Sequence, residues 1–115
     1  MPLSEAEKVA IEQAFVSDMA GATFKAAGIV DEFQAKLAAS GAKEIYDLFT
    51  RDKEYVVQRK VGSAPLTEDE IVNLLVGRNL KAAGIWDHAE EVAPDGAVAL
   101  AKRMAARGWV VSRGE

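Results

Sequence analysis

Residues 25–29 read KAAGI, and the same five letters recur at residues 81–85. A second block behaves in the same way, since PLSEAE at residues 2–7 is similar to PLTEDE at residues 65–70. Matches in the same order within one short chain predict an internal duplication, which is the first feature to establish because it fixes the architecture. The predicted organisation is one compact domain over residues 1–115, with internal repeats 2–59 and 65–113 joined by a linker at 60–64.

The spacing between the copies changes along the chain. The first block is displaced by 63 residues (2 to 65) and the second by 56 residues (25 to 81). The second copy thus has seven residues fewer between the two blocks, which is nearly two helical turns. Deleting seven residues from a helix turns its buried face by only about 20°. The first helix of the second copy is therefore predicted to be two turns shorter than that of the first.

Each copy opens with a helix start signal. Ser4 and Glu7 have the spacing of a capping box, and so do Thr67 and Glu70. Each KAAGI stretch is typical of a last helical turn followed by a C-terminal glycine and a hydrophobic residue, the Schellman pattern. The stretches SG at 40–41 and PDG at 94–96 are typical of turns that end a second helix.

These signals predict a mainly α-helical fold of tandem-duplicated three-helix units. About six short helices would pack on one core, because helices of this length are not stable separately. Each copy closes on a short β-like run, YVVQR at 55–59 and WVVSR at 109–113, rich in β-branched and aromatic residues. We expect these two runs to meet as a ribbon, whose outer edge would be a possible site of strand addition.

Composition excludes several kinds of chemistry. The 115 residues include no cysteine and one histidine, which removes disulfides, thiolate nucleophiles and multi-histidine metal sites within one chain. No phosphate-binding glycine motif occurs. His88 and Glu91 have a spacing that could hold a cation, but a solvated acidic face is the preferred interpretation. No enzymatic activity, cofactor or metal is therefore expected.

The distribution of basic residues bears on the kind of partner. The chain has a net charge of −4, yet basic residues gather near both β-like runs, which favours an acidic partner or simply a soluble surface. The preferred function is a non-enzymatic protein-interaction or assembly module, such as an adaptor, a structural subunit or a modulator of a larger complex. The candidate partner-binding residues are Tyr55, Arg59, Lys60, Trp86, Lys102, Arg103, Arg107, Trp109 and Arg113.

The alternative is a small nucleic-acid-binding protein. A helix, a turn and a basic, aromatic strand over residues 97–113 loosely resemble the helix-turn-helix and winged-helix proteins, which implies DNA or RNA binding through that helix and strand. The chain is equally similar to small helical modules of the sterile-alpha-motif kind, which implies protein binding or self-association. No signal peptide or membrane span is visible, so a soluble, cytoplasmic protein without membrane partners is expected.

Overall fold

Four helices and six strands make up the described part of the chain, which comprises residues 4–27, 34–51, 55–59, 64–83 and 89–113 of a computed structural model. The order helix–strand–strand–helix–strand occurs once in each half of the chain. The elements are α1 (Glu5–Met19), β1 (Thr23–Lys25), β2 (Gln34–Leu37), α2 (Ala39–Thr50), β3 (Tyr55–Gln58), α3 (Glu68–Leu75), β4 (Asn79–Ala83), β5 (Ala89–Glu91), α4 (Pro94–Ala106) and β6 (Val110–Arg113).

The strands form two antiparallel sheets. In the larger sheet the order is β1-β2-β4-β5, so β2 of the first half pairs with β4 of the second, through Leu37 and Ala82 among others. A bridge between Ala26 and Val92 also joins the two outer strands. The larger sheet therefore closes on itself, and both halves of the chain contribute strands to it. The smaller sheet is the ribbon of β3 and β6.

The backbone hydrogen bonds of the two halves match. Helices α1 and α3 are each followed by a glycine with positive φ, 86° at Gly21 and 80° at Gly77, a conformation that glycine adopts without steric cost. Each of these glycines donates its N–H to the end of a strand. The N–H of Gly21 donates to the Leu37 carbonyl (2.7 Å), as the N–H of Gly77 does to the Val92 carbonyl (2.8 Å). In the same way the N–H of Ala38 donates to the Lys81 carbonyl and that of Ala93 to the Lys25 carbonyl, both at 3.0 Å.

The starts of α2 and α4 lie against strands of the opposite half. Gly41 in α2 packs on the backbone of Lys81 in β4, and Gly96 in α4 packs on the backbone of Lys25 in β1. A Cβ at Gly96 would lie 2.7 Å from the Lys25 nitrogen, closer than real Cβ contacts allow. Glycine at these positions therefore permits each half to dock on the other.

The hydrophobic core draws on both halves. Phe15 is fully buried at its centre, with its ring 5.4 Å from the ring of Trp109 in an edge-on contact and 5.9 Å from the ring of Tyr46. Side chains of α1, α2 and the turn between α4 and β6 thus meet at one point. The largest fully buried residues are Phe15, Phe24, Phe49, Met19, Leu37, Ile45, Leu75, Leu80, Leu100, Met104, Val57 and Val92.

The prediction of six helices in tandem three-helix units is wrong. The described chain has four helices and two antiparallel sheets, so each half has two helices rather than three. The first letters of KAAGI are strand rather than helix, because Lys25 ends β1 and residues 81–83 end β4. Phe24 and Ala26 are buried while Thr23 is exposed, an alternation that belongs to a strand.

The predicted breaks at residues 40–41 and 94–96 are also wrong. Both lie in the first turns of helices, α2 and α4. Pro94 suits that position because a first-turn N–H has no helical partner and the ring fixes a helical φ. The glycines that suggested turns, Gly41 and Gly96, are instead required by the close approach of the opposite strand.

Three local predictions are confirmed. Both capping boxes form: the Ser4 hydroxyl accepts from the Glu7 N–H at 3.1 Å, and Thr67 accepts from Glu70 at 3.2 Å. The two β-like runs pair antiparallel within the chain, with Val57 opposite Val111. Helix α3 has 8 residues and α1 has 15, a difference of seven.

Ser112 on β6 offers a test of the packing. It is 2% exposed, and its hydroxyl has no hydrogen-bond partner among the described residues. A buried hydroxyl without a partner costs free energy, so Ser112→Ala should raise the free energy of unfolding by about 1 kcal/mol. Urea denaturation measures this, with Ser40→Ala at an exposed site as the control. A loss of stability in Ser112→Ala would show that the hydroxyl is bonded in solution.

Candidate functional site

Asp18 in the last turn of α1 gathers three of the predicted site residues. Its carboxylate accepts a hydrogen bond from the Trp109 indole N–H at 2.9 Å and forms a short ion pair with Arg59. The Arg103 Nε donates to the Asp18 carbonyl at 3.0 Å. The Arg59 guanidinium also stacks over the Trp109 ring, 4.5 Å from its centroid. We call these four residues the Asp18 cluster; it ties the ribbon to α1 and α4.

The end of α4 places Trp109 in this cluster. The Trp109 N–H donates to the Met104 carbonyl at 3.0 Å and the Gly108 N–H donates to Ala105 at 3.0 Å, while Gly108 has φ 81°. These are the bonds of a Schellman motif. Trp109 is consequently 5% exposed, so its ring contributes to the core rather than to an open surface.

The Asp18 cluster lowers the pKa of the Asp18 carboxyl. The main cause is the hydrogen bond from Trp109, followed by the ion pair with Arg59 and the charge of Arg107, while burial opposes them. A carboxyl whose pKa is lowered by folding stabilises the protein above its unfolded-state pKa, near 3.8. That contribution disappears as the pH falls through the lower, folded-state pKa.

We therefore predict a pH-dependent effect of Asp18→Asn. At about pH 7 the variant should lose about 1–3 kcal/mol of unfolding free energy, since charged hydrogen bonds are lost. The difference from the wild type should shrink below about pH 4, where the unfolded wild type takes up the proton. Urea denaturation at both pH values measures this, with Glu91→Gln, an exposed carboxylate, as the control. A difference that is the same at both pH values would contradict the role of the charge.

The ribbon holds two further predicted residues, Tyr55 and Arg113, directly opposite each other. The Tyr55 ring packs edge-on against Phe49, 6.4 Å between centroids, and Arg113 donates to the Glu70 carboxylate at 2.8 Å. Arg59 and Arg113 are thus engaged by carboxylates of their own chain. This pairing weakens the case for the two arginines as contacts to nucleic-acid phosphates.

The outer edge of β6 is covered. The Leu66 N–H donates to the Val111 carbonyl at 2.8 Å, and the Arg113 N–H donates to the Ala64 carbonyl at 2.9 Å, so residues 64–66 occupy the outer edge of β6. The described structure therefore offers no support for strand addition along β6.

Lys102 lies at a groove that is bordered by three elements: the start of α3, the last turns of α4, and β6. The groove encloses about 360 Å³, and apolar side chains such as Ile71, Met104 and Val110 line it together with Glu68. We call this the α3–α4 groove. Of the predicted residues, the exposed Lys102 and the buried Trp109 both line it. Lys60, Trp86 and His88, and residues 60–63 of the predicted linker, lie outside the described residues.

A second surface, on α1, was not predicted from the sequence. At helical spacing, one side of α1 carries small or uncharged side chains that are all exposed, and Val9 is 48% exposed. By contrast the exposed positions of α3 include Glu68, Asp69 and Asn73, as expected for a solvated helix. We call this surface the α1 outer face; its residues are Ala6, Val9, Ala10, Gln13 and Ser17.

The α1 outer face continues into a shallow groove between α1 and α2. This groove encloses about 510 Å³, and Gln13 and Ser17 line it together with Val16, Ala39 and Ser40. Lys43 at its rim pairs with Glu12 at 3.0 Å. The result is a continuous surface of low polarity with charges only at its border.

The first two turns of α1 are exposed to solvent. Every residue from Ser4 to Ala10 is exposed, and the first buried residue is Phe15. Helix α3 begins packing at Ile71, three residues after its start. Of the seven additional residues of α1, those up to Ala10 are exposed, and Ile11 packs against the core.

The described ranges contain no group of three or more acidic, histidine or cysteine residues arranged to hold a metal ion. Among the helices that the structure describes, none is both long and apolar enough to cross a membrane.

No protein-family model, no curated protein and no solved structure matches this chain.

Proposed function

We propose that this chain is a non-enzymatic protein-interaction or assembly module that binds its partner through the α1 outer face. The observation that carries the proposal is the exposure of an uncharged helix face along the whole of α1, with Val9 48% exposed. A partner that packs on this face would remove the Val9 side chain and the small side chains around it from water. A helix that lies in a groove of its partner is a common mode of protein recognition.

The charges around this face define the partner's chemistry. Glu5, Glu7 and Glu12 lie beside it on α1, and Lys8 is the basic residue among its exposed first turns. A partner with an apolar groove and a mainly basic rim would complement this border. Such complementarity selects the partner and its orientation more than it adds affinity.

Affinity capture from the native host tests the proposal. The tagged chain should retain a partner protein that Val9→Asp loses, because the substitution places a charge at the centre of the α1 outer face. Val76→Asp is the matched control, since Val76 is the other exposed large hydrophobic residue described, at 39%, and lies after α3. Retention of the same proteins by all three chains would overturn the proposal, provided that circular dichroism shows each variant to be folded.

A further inference from the structure

The chain carries complementary charges at two separate places. The exposed start of α1 has Glu5 and Glu7, whereas the last turns of α4 carry Lys102, Arg103 and Arg107. These two regions do not meet within one molecule. Arg103 contacts Asp18, at the far end of α1, and a helix of 15 residues separates that end from Glu5 by about 20 Å.

The α3–α4 groove lies beside the basic end of α4. It is lined by Ile71 and Met104, which are buried, by the partly exposed Val110, and by the exposed Lys102 and Glu68. On the first turns of α1, Val9 is apolar and exposed, and Glu5 lies one turn before it, 3.8 Å from Lys8 of the same chain. In a contact between the two surfaces Lys102 would face Glu5.

From this complementarity we infer that the partner of α1 is a second copy of this chain, whose α3–α4 groove receives the first two turns of α1. The inference rests on the proposed function and names its partner. The two surfaces differ, so the contact is head-to-tail and each copy keeps one free surface of each kind. Contacts of this type build rings or open chains rather than closed twofold dimers.

Self-association is measured by sedimentation or light scattering on the full chain at rising concentration. The average mass should rise above that of the monomer, and added salt should lower it, because the charges at the border are screened. Val9→Asp and Lys102→Glu should each raise the apparent dissociation constant about tenfold or more. Val76→Asp should associate as the wild type does.

A charge exchange identifies the contact. Glu5→Lys and Lys102→Glu should each associate poorly alone, because like charges then meet at the interface. In an equimolar mixture every contact between the two variants joins opposite charges, so association should return. A mixture that stays monomeric while the wild type associates would overturn the assignment of this contact.

Two other outcomes separate the inference from the proposed function. If the wild type is monomeric at every concentration but still captures a different protein through Val9, the inference is wrong and the proposed function stands. If the wild type is monomeric and its capture of other proteins does not depend on Val9, both are wrong.

Discussion

Replacement of Phe15 by alanine is expected to lower the free energy of unfolding by about 3–5 kcal/mol, the largest effect of any single substitution proposed for this chain. Phe15 is fully buried, and its ring touches Trp109 and Tyr46. The loss combines the hydrophobic free energy of the ring with the cavity that rigid neighbours leave behind. Urea denaturation followed by circular dichroism measures it.

The free energy of unfolding of a domain of this size is only about 5–15 kcal/mol, so Phe15→Ala could leave the protein unfolded. A milder variant is therefore measured as well. Phe15→Leu retains four of the seven side-chain carbons and should cost about 2 kcal/mol. Val9→Ala, on the exposed side of the same helix, should change the stability by less than about 0.5 kcal/mol. A loss below about 1 kcal/mol in Phe15→Ala would contradict its central position in the core.

Gly96→Ala is expected to destabilise the protein by about 1–3 kcal/mol or more, although alanine is ordinarily the better helix former. An added Cβ would press on the backbone of Lys25 in β1. Backbone atoms of a paired strand cannot move aside as a flexible side chain can, so α4 would have to shift away from the closed sheet. The thermal or urea midpoint of the variant measures the loss.

The matched control is Ala99→Gly, which makes the reverse change at an exposed position of α4. It should cost about 1 kcal/mol or less, from helix propensity alone. Gly41→Ala should behave as Gly96→Ala does, because its Cβ would lie against Lys81 and within 2.8 Å of Leu37 Cδ1. Stabilisation by either glycine substitution would show that the two halves do not dock as described.

Features set by neighbouring residues were predictable from the sequence. The capping boxes at Ser4 and Thr67 need only residues three positions apart, and Gly108 ends α4 through its own positive φ. The ribbon was predictable because each run concentrates β-branched and aromatic residues, whose preference for strands is strong. The shorter α3 followed from the seven-residue change in spacing.

The larger sheet was not predictable in the same way. Its strands have three to five residues and include alanine, which has little preference for strands. Lys25 is strand because Gln34 of β2 pairs with it, and Ala26 forms a bridge with Val92, a contact between distant parts of the chain. The letters KAAG carry a local helix-end signal, and the tertiary pairing overrides it.

The candidate site was only partly predictable. Arg59, Arg103 and Trp109 were identified as basic and aromatic residues, but Asp18, which brings them together, was missed. One signal was present: an acid in the last turn of a helix opposes the helix dipole, so it calls for another stabilising contact. The α1 outer face was missed because small and charged residues alternate along α1, so no clear polar side marks its exposed face.

Site-specific photo-crosslinking from α1 tests the proposed docking surface most directly. A photoreactive phenylalanine analogue replaces Gln13 on the α1 outer face, or Asn73 on the exposed side of α3 as the control, and the chain is irradiated in the native host. We expect a covalent protein adduct from position 13 and none from position 73, with the adduct identified by mass spectrometry. Equal adducts from both positions, or an adduct from position 73 alone, would contradict it.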